Sequence, residues 1–143
     1  MKRTRPGRIL FALLCALLAL TLASCAAKAP EAAKVFLDGA PYAAGEGSGE
    51  ASGDDLRVYV TLDGAALIDL PFSEAHTVKI ALPDGGENTV ALTGEAVYME
   101  SANCDNQDCV EMGAVTRDNL ELRVMGGFII CLPHRVSVEV RGK

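Results

Sequence analysis

Three cysteines and a histidine toward the C-terminal end are the residues best suited to chemistry. Cys104-x4-Cys109 lies in NCDNQDCVEMG, and Cys131-x2-His134 lies in GFIICLPHRVSVEV. Three thiolates and one imidazole form a ligand set that tetrahedral zinc accepts, so Cys104, Cys109, Cys131 and His134 are a candidate metal site. The Cys-x2-His half is also half of a Rieske iron–sulfur site, but the matching Cys-x-His half is absent. Two of the thiols can instead close a disulfide. On loop-closure entropy, a Cys104–Cys109 bridge is worth about 2 kcal/mol and a bridge from Cys104 to Cys131 about 3.5 kcal/mol. Spacing does not select between them; Cys104–Cys109 is the first expectation and Cys131 the alternative partner.

A redox-active dithiol is the enzymatic alternative. Its usual Cys-x-x-Cys spacing beside a βαβ unit is missing. Asp105, Asp108 and Glu111 surround the loop, and nearby carboxylates raise a thiol's pKa and disfavour the reactive thiolate. Asp105, Asn106 and Asp108 lack the spacing and glycine of a calcium loop. His76 reads as a surface strand residue. His134, near a leftover Cys131 thiol, marks the best place to look for function. There is no Gly-x-Ser-x-Gly, P-loop or dinucleotide fingerprint. With no complete catalytic constellation, the chain reads as a non-enzyme that calls for no cofactor.

Such residues need a scaffold, and the scaffold reads as β. Residues 56–62, LRVYVTL, alternate in polarity, and Asp63-Gly64 is a hairpin signal because type I′ turns need positive φ at both central positions. Residues 65–70 return as the partner strand, ended by Pro71. Residues 76–82 alternate again, Pro83-Asp84-Gly85-Gly86 turns, and strands follow over 88–93 and 96–99. The stretch 104–113 reads as a loop or short helical turn. LELRVM (120–125) is strand-like, Gly126-Gly127 turns, residues 128–132 suit a central strand buried on both faces, and 135–140 alternate to the end. The expectation is an all-β fold, a small β-barrel or sandwich of about eight short strands over residues 55–143. A domain this small gains from a covalent or metal staple.

Upstream, residues 1–24 read as a signal peptide, with a basic start and the short apolar run ILFALLCALLALTL. Leu22-Ala23-Ser24-Cys25 resembles the bacterial lipoprotein signal, so Cys25 is expected to be lipidated and to anchor the protein at the extracytoplasmic face of the cell membrane. Residues 25–54, rich in Ala, Gly, Ser, Pro and Glu, read as a flexible linker with a span of roughly 30 Å. Four of the 13 basic residues fall in the leader, which has no acid, leaving nine against 19 acidic residues. That balance repels a phosphate backbone and excludes nucleic-acid binding.

Cys104-x4-Cys109-Val110, Gly113, then Ile129-Ile130-Cys131-Leu132-Pro133-His134-Arg135 and alternating Val136, Val138 and Val140, resemble the NusG domain II-like family. VYVTLDGAALIDLPF resembles that family's opening hairpin. Asp105 stands where the family usually has proline, Ala114 where it often has tryptophan, and the segment between Val115 and Phe128 is longer than usual. The resemblance implies a small β-barrel-like domain in its freestanding, exported or lipid-anchored form. Some freestanding members are associated with flavin-linked extracellular electron transfer. The expected function is therefore a membrane-anchored binding or accessory module with an envelope protein partner and a disulfide-stapled cysteine loop. The alternative is a thiol/disulfide or metal-dependent redox component using Cys104, Cys109, Cys131 and His134.

Overall fold

The computed structural model describes residues 32–43 and 56–142. The leader, Cys25 and residues 44–55 lie outside the described residues, and so do the signal-peptide and lipidation expectations and most of the linker.

Among the described residues the elements are β1 (Lys34–Leu37), β2 (Ala40–Tyr42), β3 (Leu56–Leu62), β4 (Ala65–Pro71), β5 (Ala75–Ala81), β6 (Glu87–Thr93), β7 (Ala96–Ala102), helix α1 (Asp108–Glu111), β8 (Val115–Thr116), β9 (Phe128–Cys131) and β10 (Val136–Gly142). They form a sandwich of two antiparallel sheets and no closed barrel. One sheet has six strands in the order β2-β1-β5-β6-β7-β8, and the other four in the order β4-β3-β10-β9. Alternation turns every second residue inward. Val58 and Val60 of β3, Val136 and Val138 of β10, Val78 and Ile80 of β5, and Val90 of β6 are fully buried between the sheets.

Two hairpins share one tetrapeptide. Leu62-Asp63-Gly64-Ala65 turns β3 into β4 with Asp63 at φ 50° and Gly64 at φ 80°, as the sequence predicts. Leu37-Asp38-Gly39-Ala40 makes the same turn between β1 and β2, with φ of 50° and 83°. This second hairpin falls within the expected linker. Val35 is buried, and β1 pairs with β5 from Lys34↔Ala81 to Leu37↔Val78, so the hairpin extends the larger sheet.

The hairpin tip is tied down by charge. Asp38 Oδ1 accepts from the Thr77 amide at 2.8 Å, and Asp38 Oδ2 lies 2.8 Å from His76 Nδ1. His76 Nε2 lies 3.2 Å from Glu74 Oε2. His76 is therefore held among carboxylates rather than standing as a bare surface residue. Burial opposes its charge, but the hydrogen bonds to Asp38 and Glu74 outweigh burial and raise its pKa. The hydrogen bond to His76, helped by the Thr77 amide, lowers that of Asp38. A raised histidine stabilises fully below its unfolded pKa, near 6.5, and loses that contribution as pH rises through the folded value. A lowered aspartate stabilises above its unfolded pKa, near 3.8, and loses that contribution as pH falls through the folded value. The hairpin is thus held best between those limits. Hydrogen exchange should show the β1 amides better protected at about pH 5.5 than at about pH 8.5 after correction for intrinsic rates, and His76→Gln should remove that difference.

Two strand expectations are corrected. LELRVM is not a strand: residues 117–127 form successive turns, with Leu122 and Val124 exposed. Side chains there satisfy the backbone locally. Asn119 Oδ1 accepts from the Thr116 amide at 2.8 Å, Asn119 Nδ2 donates to the Ala114 carbonyl at 3.0 Å, and Arg123 Nη1 donates to the same carbonyl at 2.9 Å. These bonds replace a strand ladder. The apolar run over 128–132 is not a central strand either. β9 is the edge of the four-stranded sheet, and only Ile129 and Cys131 turn inward.

Candidate functional site

Strand β7 ends at Ala102, and the chain enters the cysteine loop through Asn103. Asn103 Oδ1 accepts from the Glu87 amide at 2.7 Å, and its Nδ2 donates to the Gly85 carbonyl at 2.9 Å. The loop start is thereby pinned to the β5–β6 turn. Gln107 sits at φ 55°, immediately before α1, and its amide donates to the carbonyls of Ala102 and Cys104. It gathers the loop in a tight arc. Backbone bonds from Glu111 N to Gln107 O (3.1 Å) and Met112 N to Asp108 O (2.9 Å) complete one helical turn. Met112 Sδ then accepts from the Ile130 amide of β9 at 3.3 Å.

This arrangement brings Cys104 and Cys109, from the loop beyond β7, against Cys131 at the end of β9. The three Sγ atoms all lie within 4.8 Å of one another, and all three residues are buried. Cys104 Sγ and Cys109 Sγ are 3.7 Å apart, far beyond the S–S bond length of about 2.05 Å. All three are free thiols. Gln107 Nε2 lies 3.9 Å from Cys104 Sγ. Burial, and then hydrogen bonding with the Cys131 and Cys104 thiols, pushes the Cys109 thiol up to about 12. The expected cause was different: the carboxylates Asp105, Asp108 and Glu111 are on exposed residues, and Asp108 Oδ2 takes the Asn106 amide at 2.6 Å.

His134 does not join the sulfurs. The Leu132-Pro133-His134-Arg135 turn, closed by Arg135 N to Leu132 O at 3.1 Å, points the imidazole at the opposite sheet. His134 Nδ1 lies 2.7 Å from Asn88 Oδ1, and Asn88 Nδ2 donates to Met99 Sδ at 3.4 Å. Asn88 is fully buried. Its bond to Met99 leaves the carbonyl oxygen for His134, so the histidine carries its proton on Nδ1. The ring lies over Gly86, where an added Cβ would meet Cδ2 at 2.9 Å and Nε2 at 3.0 Å. Cys131 and His134, two residues from adjacent, thus serve separate clusters, each joining the two sheets. The sequence alone did not single out Asn88, Met99 or Gln107. Asn88 had a signal: it shares the inward face of β6 with Val90 and Leu92, a polar residue in an apolar register.

The disulfide-stapled accessory module is corrected by these findings. The cysteine loop holds free thiols in a three-sulfur cluster, not a Cys104–Cys109 or Cys104–Cys131 bridge. No helix among the described residues is long and apolar enough to cross a membrane. The four-ligand metal set loses its histidine.

Solved structures share this architecture. The Lin0431 protein of Listeria innocua superposes with a TM-score of 0.54 at 22% identity, covering 63% of this chain and 99% of that one. A DUF1312 family protein of Enterococcus faecalis gives 0.53 at 20% identity, covering 62% and 98%. A DUF1312 family protein of Ruminococcus gnavus is 32% identical over 61% of this chain and 99% of that one, with a TM-score of 0.48. No curated protein matches. The NusG domain II family matches residues 9–143, which takes in both sheets, all three clustered cysteines and His134, and the chain belongs to that family.

Proposed function

We propose that the chain is a sulfur-centred redox component whose working group is the cluster of Cys104, Cys109 and Cys131. The observation that carries this reading is the convergence of three buried Sγ atoms within 4.8 Å, two from the loop beyond the six-stranded sheet and one from the edge strand of the four-stranded sheet. Three free thiols at that spacing can bind a thiophilic metal, or two of them can form a disulfide. Burial favours the metal. Thiol–disulfide exchange needs a thiol that a partner disulfide can reach, and all three cysteines are buried. The 3.7 Å separation of Cys104 and Cys109 keeps dithiol/disulfide cycling as the second reading.

Elemental analysis and denaturing alkylation of protein purified under anaerobic conditions test the reading. Cys104, Cys109 and Cys131 all alkylatable, with metal present or readily taken up, support it. A Cys104–Cys109 disulfide that resists thiol reductants in the folded protein would overturn it.

A lipid on Cys25, extracytoplasmic placement and an envelope protein partner belong to the same proposal. Their support is the Leu22-Ala23-Ser24-Cys25 sequence at the end of the apolar run. In a bacterial host, wild-type protein should incorporate a labelled fatty acid and Cys25→Ala should incorporate none. Equal labelling of the two would remove this part of the proposal.

A further inference from the structure

The reading of the cysteines as a metal-dependent site can be taken further, to the class of metal. Zinc in a closed site is almost always four-coordinate. Among the described residues, three ligand atoms converge, all of them sulfur. The natural fourth ligand, His134, is held 2.7 Å from Asn88, and the Asp108 carboxylate is turned to Asn106. Burial of all three cysteines keeps bulk water from filling a fourth position. A metal–sulfur bond of about 2.3 Å in a trigonal plane sets the sulfur atoms about 4.0 Å apart. The observed 3.7 Å contact and the 4.8 Å limit bracket that spacing. Thiolates are soft ligands, and Cu(I) is the soft monovalent ion among the metals that choose them.

We infer that Cys104, Cys109 and Cys131 form a three-coordinate site for a soft monovalent d10 cation of the Cu(I) class, with His134 outside the coordination shell. This inference rests on the metal-dependent reading above. Binding forms three S–metal bonds, breaks three S–H bonds, releases three protons to solvent and changes no oxidation state. Two ligands come from the loop beyond the six-stranded sheet and one from the edge strand of the four-stranded sheet. The ion therefore fastens the sandwich together, and site occupancy and fold stability are linked.

The test uses the full chain carrying Cys15→Ser and Cys25→Ser, so that its thiols are the three of the cluster, reduced and anaerobic. It is titrated with Cu(I) against a chromogenic Cu(I) chelator, and separately with Zn(II) against a chromogenic zinc chelator. X-ray absorption of the copper form gives its ligand set. The expected result is one Cu(I) per chain, three sulfur ligands at about 2.3 Å and no nitrogen. The melting temperature should rise by at least about 5 °C on saturation. Cys131→Ser should weaken Cu(I) binding by about 100-fold or more, while His134→Gln leaves it unchanged. The His134 variant and the absorption spectrum keep the test decisive if Cys131→Ser does not fold. A zinc ion held more tightly than Cu(I), or a nitrogen ligand on copper, overturns the inference and leaves the metal-dependent reading standing. Failure to bind either ion overturns both.

Discussion

Replacing Gly127 with alanine should unfold the protein or cost about 4 kcal/mol of stability, an effect beyond that of most single substitutions. A Cβ at this position would sit 2.0 Å from the Val140 carbonyl oxygen and 3.0 Å from its carbon. Neither is a flexible side-chain end, so one strand has to move. The Gly127 carbonyl also accepts the Val140 amide at 2.9 Å, a bond that extends the β9–β10 pairing beyond Phe128↔Glu139. Movement there loses that bond and pulls at the strand that carries Cys131. The neighbouring position is an internal control. Gly126 has nothing within 4 Å of an added Cβ and a φ of 56°, so Gly126→Ala should cost only about 1 kcal/mol. Urea titrations of the two variants decide it: similar midpoints would mean that the close approach at Gly127 does not hold.

Cys109 gives the second large effect. Its thiol is pushed up to about 12 by burial, against an ordinary value of 9.0. A folded pKa above the unfolded one means that the neutral thiol stabilises the fold fully below the unfolded pKa. That contribution is lost as pH rises toward the folded value. In metal-free protein, stability should fall between about pH 9 and 12 by about 1.4 kcal/mol per pH unit from this one group. The same shift suppresses the thiolate at neutral pH. At about pH 8 the thiolate fraction of Cys109 is lower than that of an ordinary cysteine by roughly a thousandfold, before burial limits access at all. Iodoacetamide should therefore label Cys109 in native protein at least about a thousandfold more slowly than in urea-unfolded protein. Cys109→Ala should flatten the alkaline decline. Labelling at equal rates in the two states, or an unchanged decline in the variant, would show that the thiol is not held neutral by the fold.

The sequence was most readable where one strand face is buried and turn chemistry is strict. LRVYVTL, HTVKIAL and RVSVEV alternate because one side meets the opposite sheet, and Asp63-Gly64 turns as its residues require. The same reasoning was available upstream and was masked by composition. Leu37-Asp38-Gly39-Ala40 repeats the turn residues of the β3–β4 hairpin, but it lies among alanines and glycines that suggest a tether. LELRVM failed for the opposite reason. Its apolar content suits a strand, while Asn119 and Arg123 bind the local carbonyls and amides and close turns instead. For the site, the three sulfurs could be singled out by type but not assembled. Twenty-one residues separate Cys109 from Cys131, and their meeting depends on which sheet each strand joins. The direction of His134 was hidden because its partner, Asn88, lies in a distant strand and is visible only as one polar residue on an inward face.

The pairing of β3 with β10 also sets an order of events. Leu56 lies opposite Gly142 and Leu62 opposite Val136, so the smaller sheet joins residues more than seventy positions apart in the chain. β5, β6 and β7 form a meander of neighbouring hairpins with no such delay. Local contacts close in microseconds, whereas contacts that span most of a chain form late, because loop-closure entropy opposes them until other structure is in place. The Cys104–Cys109 loop follows the early meander, and Cys131 belongs to the late sheet. During synthesis or refolding, two of the three sulfurs therefore wait for the third. That interval is when they are open to oxidants, so the yield of protein with an intact cluster should depend on how fast the last strand closes.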